Sequence, residues 1–466
     1  MSTVDMRDAL PPLNRRLDRL QAALAPTAGS VNQIADQHPE LTLHLHDRLL
    51  AAISPAKAEH LSEPELRAHL QQIADEWAQH DPDSVDYHER ENAVIKAVDE
   101  LRGYGPIGGL LRENDISEIL INGPRQVFVE RRGQLFKSEV VFRNAEHLLI
   151  IIGRLIDGTG RRVDKSSPML DVRLHDGSRM NVVLNPPALN GPLVSIRRFG
   201  VRPLTVDDLL ANESLTREML DFLAACVKAR INIIVSGGTG SGKTTLLNAL
   251  SRFIPSTERV VTIEDTAELE LQQPHVAKLE SQPADLDGEG AVTMRDLVRN
   301  SLRMRPDRII VGECRGGEAF EMLQAMSTGH EGSMTTIHAG NPREAVSRVE
   351  LIVGLAGMDL PAWAVRKLIA GCISLVIQAS RLPGGKRKIT SITEITGMEG
   401  DTIAMHDIFS FVQTGMNSAL GAEGYLSATG IRPVLLNKLK VRGADLPIEL
   451  FAERRFPSTS SRGLAR

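Results

Sequence analysis

The stretch that most constrains the fold is INIIVSGGTGSGKTTLLNALSRF, which runs from Ile231 to Phe253. Apolar and β-branched residues come first, a glycine-rich turn follows, and a run with helical character completes the stretch. The turn matches G-x-x-x-x-G-K-[ST], in which backbone amides and the start of the next helix surround phosphate oxygens. The pattern predicts a strand, a phosphate-binding loop and a helix in an α/β parallel-sheet domain. A glycine-rich turn without a ligand is the alternative, and the matching strand and helix disfavour it.

The residues of this loop have separate expected roles. Glycines let backbone amides approach phosphate oxygens that a Cβ would obstruct. Lys243 is expected to reach the β- and γ-phosphates of a nucleotide, and the Thr244 hydroxyl is expected to hold Mg²⁺. Further contacts are expected from Gly238, Thr239, Gly240, Ser241, Gly242 and Thr245. Phosphate binding alone leaves a kinase, a GTPase and a motor protein equally open.

Carboxylates follow two other apolar segments. Val260 to Ile263 predicts a buried strand, and the acidic residues Glu264, Asp265 and Glu268 come after it. Ile309 to Val311 predicts a second strand, followed by Glu313 where Asp is the usual metal-site residue. Ligands collect at the carboxyl ends of strands in open α/β sheets, so these side chains are candidates to polarise water or surround Mg²⁺. A solvated acidic turn is the alternative.

Two histidines lie in the segment TGHEGSMTTIHAGNP, of which SMTTIHA predicts a further strand. Taken alone, His330 and His338 are more typical of a satisfied histidine pair in a polar loop than of a functional site. No cysteine or third histidine stands at zinc-ligand spacing beside them. The segment by itself therefore predicts no metal centre.

Composition limits the expected partners. The chain has 466 residues, a formal net charge of -5 and 3% aromatic residues, which disfavours a nucleic-acid binder. Its three cysteines, Cys226, Cys314 and Cys372, are too widely spaced for a zinc or disulfide framework and indicate a reducing cytosol. No apolar run approaches the roughly 18 residues that a membrane span needs. We therefore expect a cytoplasmic protein that binds neither nucleic acid nor zinc.

Changes of pattern along the chain predict its domains. Ser62 and Glu65 form a capping box ahead of a helix, and turns at Asn122-Gly123-Pro124 and Asp176-Gly177 interrupt alternating, strand-like segments. The Gly200 and Pro203 region precedes a new helix and indicates a linker. The predicted segments are a flexible arm over 1–40, a helical module over 41–100, an α+β domain over 101–200, a linker over 201–210, a P-loop domain over 211–450 and a flexible tail over 451–466.

Four segments together resemble a known family. GGTGSGKTT, TIEDTAEL, LRMRPDRIIVGECRG and TGHEGSMTTIHAGNP resemble, in order and spacing, the Walker A, Asp box, Walker B and His box of the type II/type IV secretion ATPase superfamily. The chain is most similar to the Flp/Tad pilus assembly (CpaF-like) ATPases, over about Leu101 to Pro433. The CxxC pairs that hold zinc in the general-secretion subgroup are missing, which favours the Tad-like or type IV branch.

The resemblance implies an α/β fold: a RecA-like P-loop NTPase core, an upstream α+β, sheet-containing domain and an N-terminal helical module. It also implies a homohexamer that hydrolyses ATP with Mg²⁺ and works on an inner-membrane platform in pilin assembly or secretion, cytoplasmic but peripheral at that membrane. A nucleic-acid-translocating ATPase and a non-hydrolysing nucleotide-binding scaffold stay open as alternatives.

The resemblance also assigns roles to residues outside the loop. It implies that Glu264 aligns the attacking water, that Glu313 takes the Walker B place at the metal, and that His338 senses the γ-phosphate. Four arginines of the upstream domain fall where the family supplies arginines to the nucleotide: Arg173, Arg179, Arg197 and Arg198. Arg179 and Arg197 are the two expected to act in catalysis. Ordinary surface charge on two hairpins is the alternative for all four.

Overall fold

The computed structural model describes residues 39–53, 60–80, 87–131, 133–198, 204–282, 284, 289–357, 360–417 and 421–456. The chain divides into two units, Met1–Val201 and Arg202–Arg466. In the described part of the chain, no helix combines the length and the apolar character needed to cross a membrane. Residues 1–38 of the expected flexible arm lie outside the described residues.

Three helices begin the described part of the first unit: α1 (Pro39–Ala52), α2 (Glu63–His80) and α3 (Tyr87–Leu101). One of the two bonds of the predicted capping box is present, because the backbone N–H of Ser62 donates to Glu65 Oε2, and the Ser62 hydroxyl donates to the same oxygen. Leu66 and Leu70 of α2 are fully buried against α1 and α3, with Ile73 and Trp77 at the edge of the same core. The apolar face of α2 therefore forms part of the core of a three-helix module.

A six-stranded sheet follows. In sequence, the short helix α4 (Gly108–Arg112) precedes its first strand, and α5 (Ala145–Ile156) lies between its third and fourth strands. Its strands pair in the order β3-β2-β1-β6-β5-β4, and neighbouring strands are antiparallel. Side chains alternate between an apolar core that includes α5 and an exposed face. The strands are β1 (Ile116–Asn122), β2 (Val127–Arg131), β3 (Gln134–Lys137), β4 (Met169–Arg173), β5 (Arg179–Val183) and β6 (Leu193–Arg197).

The second unit contains a RecA-like α/β core. Its parallel strands lie in the order β12-β7-β11-β10-β8-β9. Separate apolar clusters cover the two faces, so the central strands are buried throughout, as parallel strands usually are. These strands are β7 (Ile233–Gly237), β8 (Val260–Glu264), β9 (Val276–Glu280), β10 (Arg308–Val311), β11 (Met334–Ile337) and β12 (Leu375–Arg381).

Helices connect these strands and cover both faces of the sheet. The helix α8 follows β7 and packs on one face, whereas α10, α11 and α12 pack on the other. The helices of the core are α6 (Val206–Ala211), α7 (Arg217–Lys228), α8 (Lys243–Ser251), α9 (Met294–Ser301), α10 (Glu318–Ser327), α11 (Pro342–Leu355) and α12 (Ala362–Cys372).

Antiparallel strands extend the parallel sheet beyond β12, a feature that the sequence analysis did not predict. Strand β12 pairs with β13 (Arg387–Glu399), β13 pairs with β14 (Thr402–Met416), and β14 pairs with β15 (Ala422–Ala428). The helix α13 (Leu435–Val441) and a two-residue strand β16 (Arg454–Arg455) complete this end of the unit. In the described residues the mixed sheet has ten strands.

Two expected segment boundaries need correction. Residues 206–210, assigned to the linker, belong to helix α6, because Thr205 and Asp208 form a capping box that starts a helix there. Residues 199–203 lie outside the described residues. The tail expected over 451–466 is ordered at its start, since Phe451 and Phe456 are buried in a cluster with Phe222 and Phe409. Residues 457–466 lie outside the described residues.

Polar side chains cross-link the amino ends of the parallel strands. The Asn232 amide, just before β7, donates to the carbonyl of Cys372 at 2.8 Å and accepts from the N–H groups of Gly332 and Ser333 at 2.7 and 3.2 Å. Arg308, at the start of β10, is fully buried and forms an ion pair with Glu258. These bonds fix the edge of the sheet opposite to the glycine-rich loop.

Candidate active site

The glycine-rich loop joins β7 to α8 at the carboxyl edge of the parallel strands. Gly240 and Gly242 have φ values of 67° and 95°, which disfavour other residues. A Cβ on Gly237 would lie 2.3 Å from the carbonyl oxygen of Ala379, so glycine is required there for close packing. A Cβ on Gly238 would meet no heavy atom within 4 Å, so this residue faces open space. The loop is therefore closely packed at Gly237 and open at Gly238.

Hydrogen bonds within the loop converge on its first carbonyls. The Lys243 ammonium donates to the carbonyl oxygens of Gly237 and Gly238 at 3.0 and 3.1 Å. The Ser241 hydroxyl donates to the Gly238 carbonyl at 2.9 Å. Helix α8 begins after Gly242 with no side-chain cap, so its first amides carry the partial positive charge of a helix start. Thr244 and Thr245 lie half-buried in this first turn, and Thr239 is exposed at the tip of the loop.

These features fit a bound triphosphate. A loop with amides at a helix start, an ammonium group and a threonine hydroxyl in the first turn matches the needs of phosphate oxygens and Mg²⁺. The residues that would hold the phosphates are those of the loop with Lys243, and Thr244 is the first-turn hydroxyl available to a metal ion. We find no disagreement between the residues present and a nucleotide with its cation.

Glu264 ends β8 and is almost fully buried, on the sheet face that α8 covers. Its Oε2 accepts from the N–H groups of Glu268 and Leu269 at 2.7 and 2.9 Å, whereas its Oε1 is buried without a protein hydrogen bond. Burial raises the pKa of Glu264 to about 7, against the two backbone bonds, which lower it. A carboxylate with a pKa close to neutrality suits a group that accepts a proton from water.

Glu313 and His338 follow two neighbouring strands between β8 and β7. Glu313 comes after β10 and forms an ion pair with Arg315 at 2.8 Å. The Thr336 hydroxyl of β11 donates to the Gly312 carbonyl at 2.7 Å and joins the ends of these two strands. His338 comes directly after β11 and is exposed. The parallel order of β7, β11, β10 and β8 thus brings Lys243, His338, Glu313 and Glu264 to one edge of the sheet.

Gln378 is a site residue that the sequence analysis missed. It lies on β12 beside Ser236, the residue before the glycine-rich loop, and is almost fully buried. Its amide donates to the carbonyls of Ala339 and Gly340 at 3.2 and 3.0 Å, so it holds the turn that follows His338. A single glutamine in an apolar strand was the only signal in the sequence, since buried polar residues in strands usually have a specific partner.

Comparisons with known proteins identify the family of the chain. The family model for the type II/IV secretion system protein matches residues 100–391, more than half of the chain. The chain belongs to the type II/IV secretion family. A putative conjugal transfer protein of Mycobacterium tuberculosis is 35% identical over 333 residues, which cover 66% of this chain and 94% of that protein.

Two further relatives come from type IV secretion systems. The type IV secretion system protein VirB11 of Bartonella quintana is 31% identical over 345 residues, covering 66% of this chain and 95% of that protein. The crystal structure of the VirB11 ATPase of Brucella suis with sulphate is 29% identical and covers 62% of this chain and 91% of that one, with a TM-score of 0.34. The family assignment rests on the sequence matches.

Three arginines of this secretion-family chain form a row on the first unit's sheet. Arg173 pairs with Arg179, and Arg179 pairs with Arg197, on the neighbouring strands β4, β5 and β6. Because paired residues of a sheet point to the same face, the three guanidinium groups share the face opposite to the apolar core. Arg179 also forms a two-pronged ion pair with Asp171 at 2.9 and 2.6 Å.

Arg198 does not belong to this row of arginines. It follows β6, and its guanidinium donates to the backbone carbonyl of Glu113 within the same unit. That contact gives Arg198 a structural role, and its expected contact with a nucleotide gains no support from the geometry. Among the residues that the structure describes, no group of three or more His, Cys, Asp or Glu could hold a metal ion.

Proposed function

We propose that this protein is the ATP-hydrolysing motor of a Flp/Tad-type pilus assembly or related type II/IV secretion system. The observation that carries the proposal is the alignment, on one edge of the parallel sheet, of a phosphate loop with two carboxylates and a histidine. Family membership and relatives with type IV secretion names support the secretion context. The motif resemblance to Tad ATPases supports the narrower choice.

Each residue at this edge has a defined task in the proposal. Lys243 leaves its contacts with Gly237 and Gly238 to bind the β- and γ-phosphates, and the amides of the loop bind the remaining phosphate oxygens. Thr244 and Glu313 would hold Mg²⁺, which would neutralise charge on the phosphates. Glu264 accepts a proton from the attacking water, for which its raised pKa suits it. His338 responds to the presence of the γ-phosphate.

In this proposal the row of arginines couples ATP hydrolysis to motion. Arg173, Arg179 and Arg197 lie side by side on one sheet face, where Asp171 forms an ion pair with Arg179 and Glu118 of β1 lies opposite Arg197. Charges delivered to the γ-phosphate from a second unit, of the same or a neighbouring subunit, stabilise the transition state and link hydrolysis to motion. We propose that six copies form a ring for this purpose and that the ring acts on an inner-membrane platform.

The experiment that tests this function measures phosphate release by the purified protein supplied with Mg²⁺ and ATP. We expect turnover that stops when Mg²⁺ is chelated and does not change on adding single-stranded or duplex DNA. A protein that binds ATP without releasing phosphate would be a scaffold and would contradict the proposal. Strong stimulation by DNA would instead indicate a nucleic-acid-translocating ATPase, since such proteins couple hydrolysis to strand binding.

A further inference from the structure

The hairpin between β12 and β13 brings cationic side chains to the glycine-rich loop. Residues 381–388 read RLPGGKRK, with four cationic residues and no acidic residue. Ala379 pairs with Gly237, the last residue of β7, so Arg381 lies two residues further along the same strand direction. At about 3.3 Å per residue, Arg381 reaches roughly 7 Å past the end of β7, to the level of the loop.

Arg387 contacts the loop directly. Its Nε donates to the Gly240 carbonyl at 2.8 Å, across 147 residues of sequence. Its Cδ would lie 3.6 Å from a Cβ placed on Gly242. Gly240 and Gly242 are the two loop residues with positive φ, so Arg387 braces the loop where the backbone depends on glycine. A trans peptide points its N–H opposite to its C=O, so the bond to Gly240 also fixes the direction of the next amide.

Arg381 lies beside Arg387 on the same side of the loop. The two residues are direct partners in the β12–β13 ladder, and Nη1 of Arg381 would lie 3.6 Å from a Cβ placed on Gly240. Like charges directly opposite each other in a sheet are unfavourable. Both side chains are nevertheless exposed at this position, next to a loop built for anions. An anion bound at the loop lies beside both positive charges, and Arg381 can donate a charge-assisted hydrogen bond to it while Arg387 holds the Gly240 carbonyl.

We propose that Arg381 and Arg387 form a side wall of the nucleotide site: Arg387 positions the phosphate loop, and Arg381 binds the phosphate chain of the nucleotide. The inference rests on the proposed function, because it requires that the loop bind a nucleoside di- or triphosphate. It goes beyond that function because part of the negative charge of the phosphates is compensated by an arginine on a strand far from the loop in sequence.

The test compares R381Q and R387Q with K386Q in the full-length protein. Lys386 is exposed on the same hairpin turn, and its carbonyl accepts a hydrogen bond from the Leu382 N–H. The dissociation constant of a fluorescent ADP is measured by anisotropy at low and high salt, and KM and kcat for ATP are measured beside it. Circular dichroism and thermal melting confirm that each variant is folded.

We expect R381Q and R387Q each to weaken ADP binding about tenfold, as loss of a charged hydrogen bond predicts, with K386Q equal to the parent. KM for ATP should rise by a similar factor in R381Q with kcat less affected, and R381K should recover part of the affinity. In R387Q both KM and kcat should change, because the shape of the loop changes. If R387Q fails to fold, the same comparison with K386Q is made with R381Q and R387K.

ADP affinities equal to the parent in both Gln variants would overturn the inference. A weakening as large in K386Q would also overturn it, since it would reveal only the general charge of the hairpin. The proposed function fails in a different way: the parent protein itself would then bind no ADP and release no phosphate. The two failures are therefore distinguishable in a single set of measurements.

Discussion

The ammonium nitrogen of Lys243 lies 3.0 Å from the carbonyl oxygen of Gly237, at the base of its own loop. A second bond of 3.1 Å joins it to the Gly238 carbonyl. Two backbone oxygens therefore hold the ammonium at the base of the glycine-rich loop. In the proposed function the same ammonium binds phosphate oxygens, whose negative charge makes stronger hydrogen bonds than neutral carbonyls do.

Replacement of Lys243 by alanine should abolish most of the ATP turnover. The substitution removes the ammonium that compensates the β- and γ-phosphates, and it also frees the Gly237 and Gly238 carbonyls. We expect at least a hundredfold fall in phosphate release, about the effect of losing one strong electrostatic contact in a transition state. Lys228, exposed in the last turn of α7, is the matched control, and K228A should behave as the parent. Parent-like turnover by K243A would remove the loop from the active site.

The two carboxylates should be separable from nucleotide binding. E264Q and E313Q keep the size of each side chain while removing its charge, so both should bind ATP close to the parent level and hydrolyse it slowly. Isothermal titration and phosphate release on the same preparations measure the two effects. Glu399, exposed at the far end of β13, provides the control variant E399Q. Loss of ATP binding in both variants with helix content intact would make these residues structural.

The raised pKa of Glu264 predicts a pH-dependent stability. Its ordinary value is 4.5 and burial raises it to about 7, so between these values the folded protein holds a proton that the unfolded chain has released. Stability therefore falls as the pH rises through this window. E264Q lacks this titration. The free energy of unfolding of E264Q minus that of the parent should therefore rise by about 3 kcal/mol between pH 4.5 and 7, and it should not rise further at higher pH. Urea unfolding across this range tests the prediction, and a constant difference would contradict it.

The arginine row should affect turnover more than binding. In R179A and R197A the lost charge matters most in the transition state, so we expect kcat to fall at least tenfold with the ATP dissociation constant changed less. Arg125, exposed in the turn between β1 and β2, gives the control R125A. Equal losses of affinity and turnover would mark simple binding residues. Parent values for both quantities would return the row to ordinary surface charge.

Loss of the buried ion pair between Arg308 and Glu258 should lower the free energy of unfolding more than loss of an exposed ion pair. R308M leaves the Glu258 carboxylate buried beside Arg230, a partly exposed ion-pair partner, and we expect the free energy of unfolding to fall by about 3 kcal/mol or more. The double variant R308M/E258M should recover part of the loss because it buries no uncompensated charge. Arg217 forms an exposed pair with Asp221, and R217M should cost under about 1 kcal/mol. Similar losses in R308M and R217M would contradict the argument.

Local sequence signals predicted much of the core. The strands β7, β8, β10 and β11 were readable because each is a short apolar run that ends in glycine or a polar residue. The hairpins of the first sheet were readable from their turns, and the α2 helix from the Ser62–Glu65 cap. In each case the signal lies within about ten residues of sequence, where periodicity and turn chemistry act.

Contacts between distant segments were not readable in the same way. The bond from Arg387 to Gly240 depends on β12 pairing with β7, and no local pattern states which strand lies beside which. The packed Phe451 and Phe456 were hidden within a Ser- and Arg-rich terminus, whose composition is typical of a frayed end. The catalytic roles of Glu264, Glu313 and His338 stay predictions, since they were taken from the motif resemblance and the geometry only brings these residues to one edge.

Asn232 has a consequence for how this protein could be re-engineered. Its single side chain joins the start of β7 to the segment before β11 and to the end of α12, on the side of the sheet away from the loop. Asn232 thus adds bonds to the backbone ladders at the end of the sheet away from the loop, and no residue of the loop takes part in them. An exchange of residues 238–242 with the loop of another P-loop protein would need to keep the bond from Arg387 to the residue at position 240, but would leave Asn232 untouched. A designer should treat Asn232 as fixed and the glycine-rich edge as the part to vary.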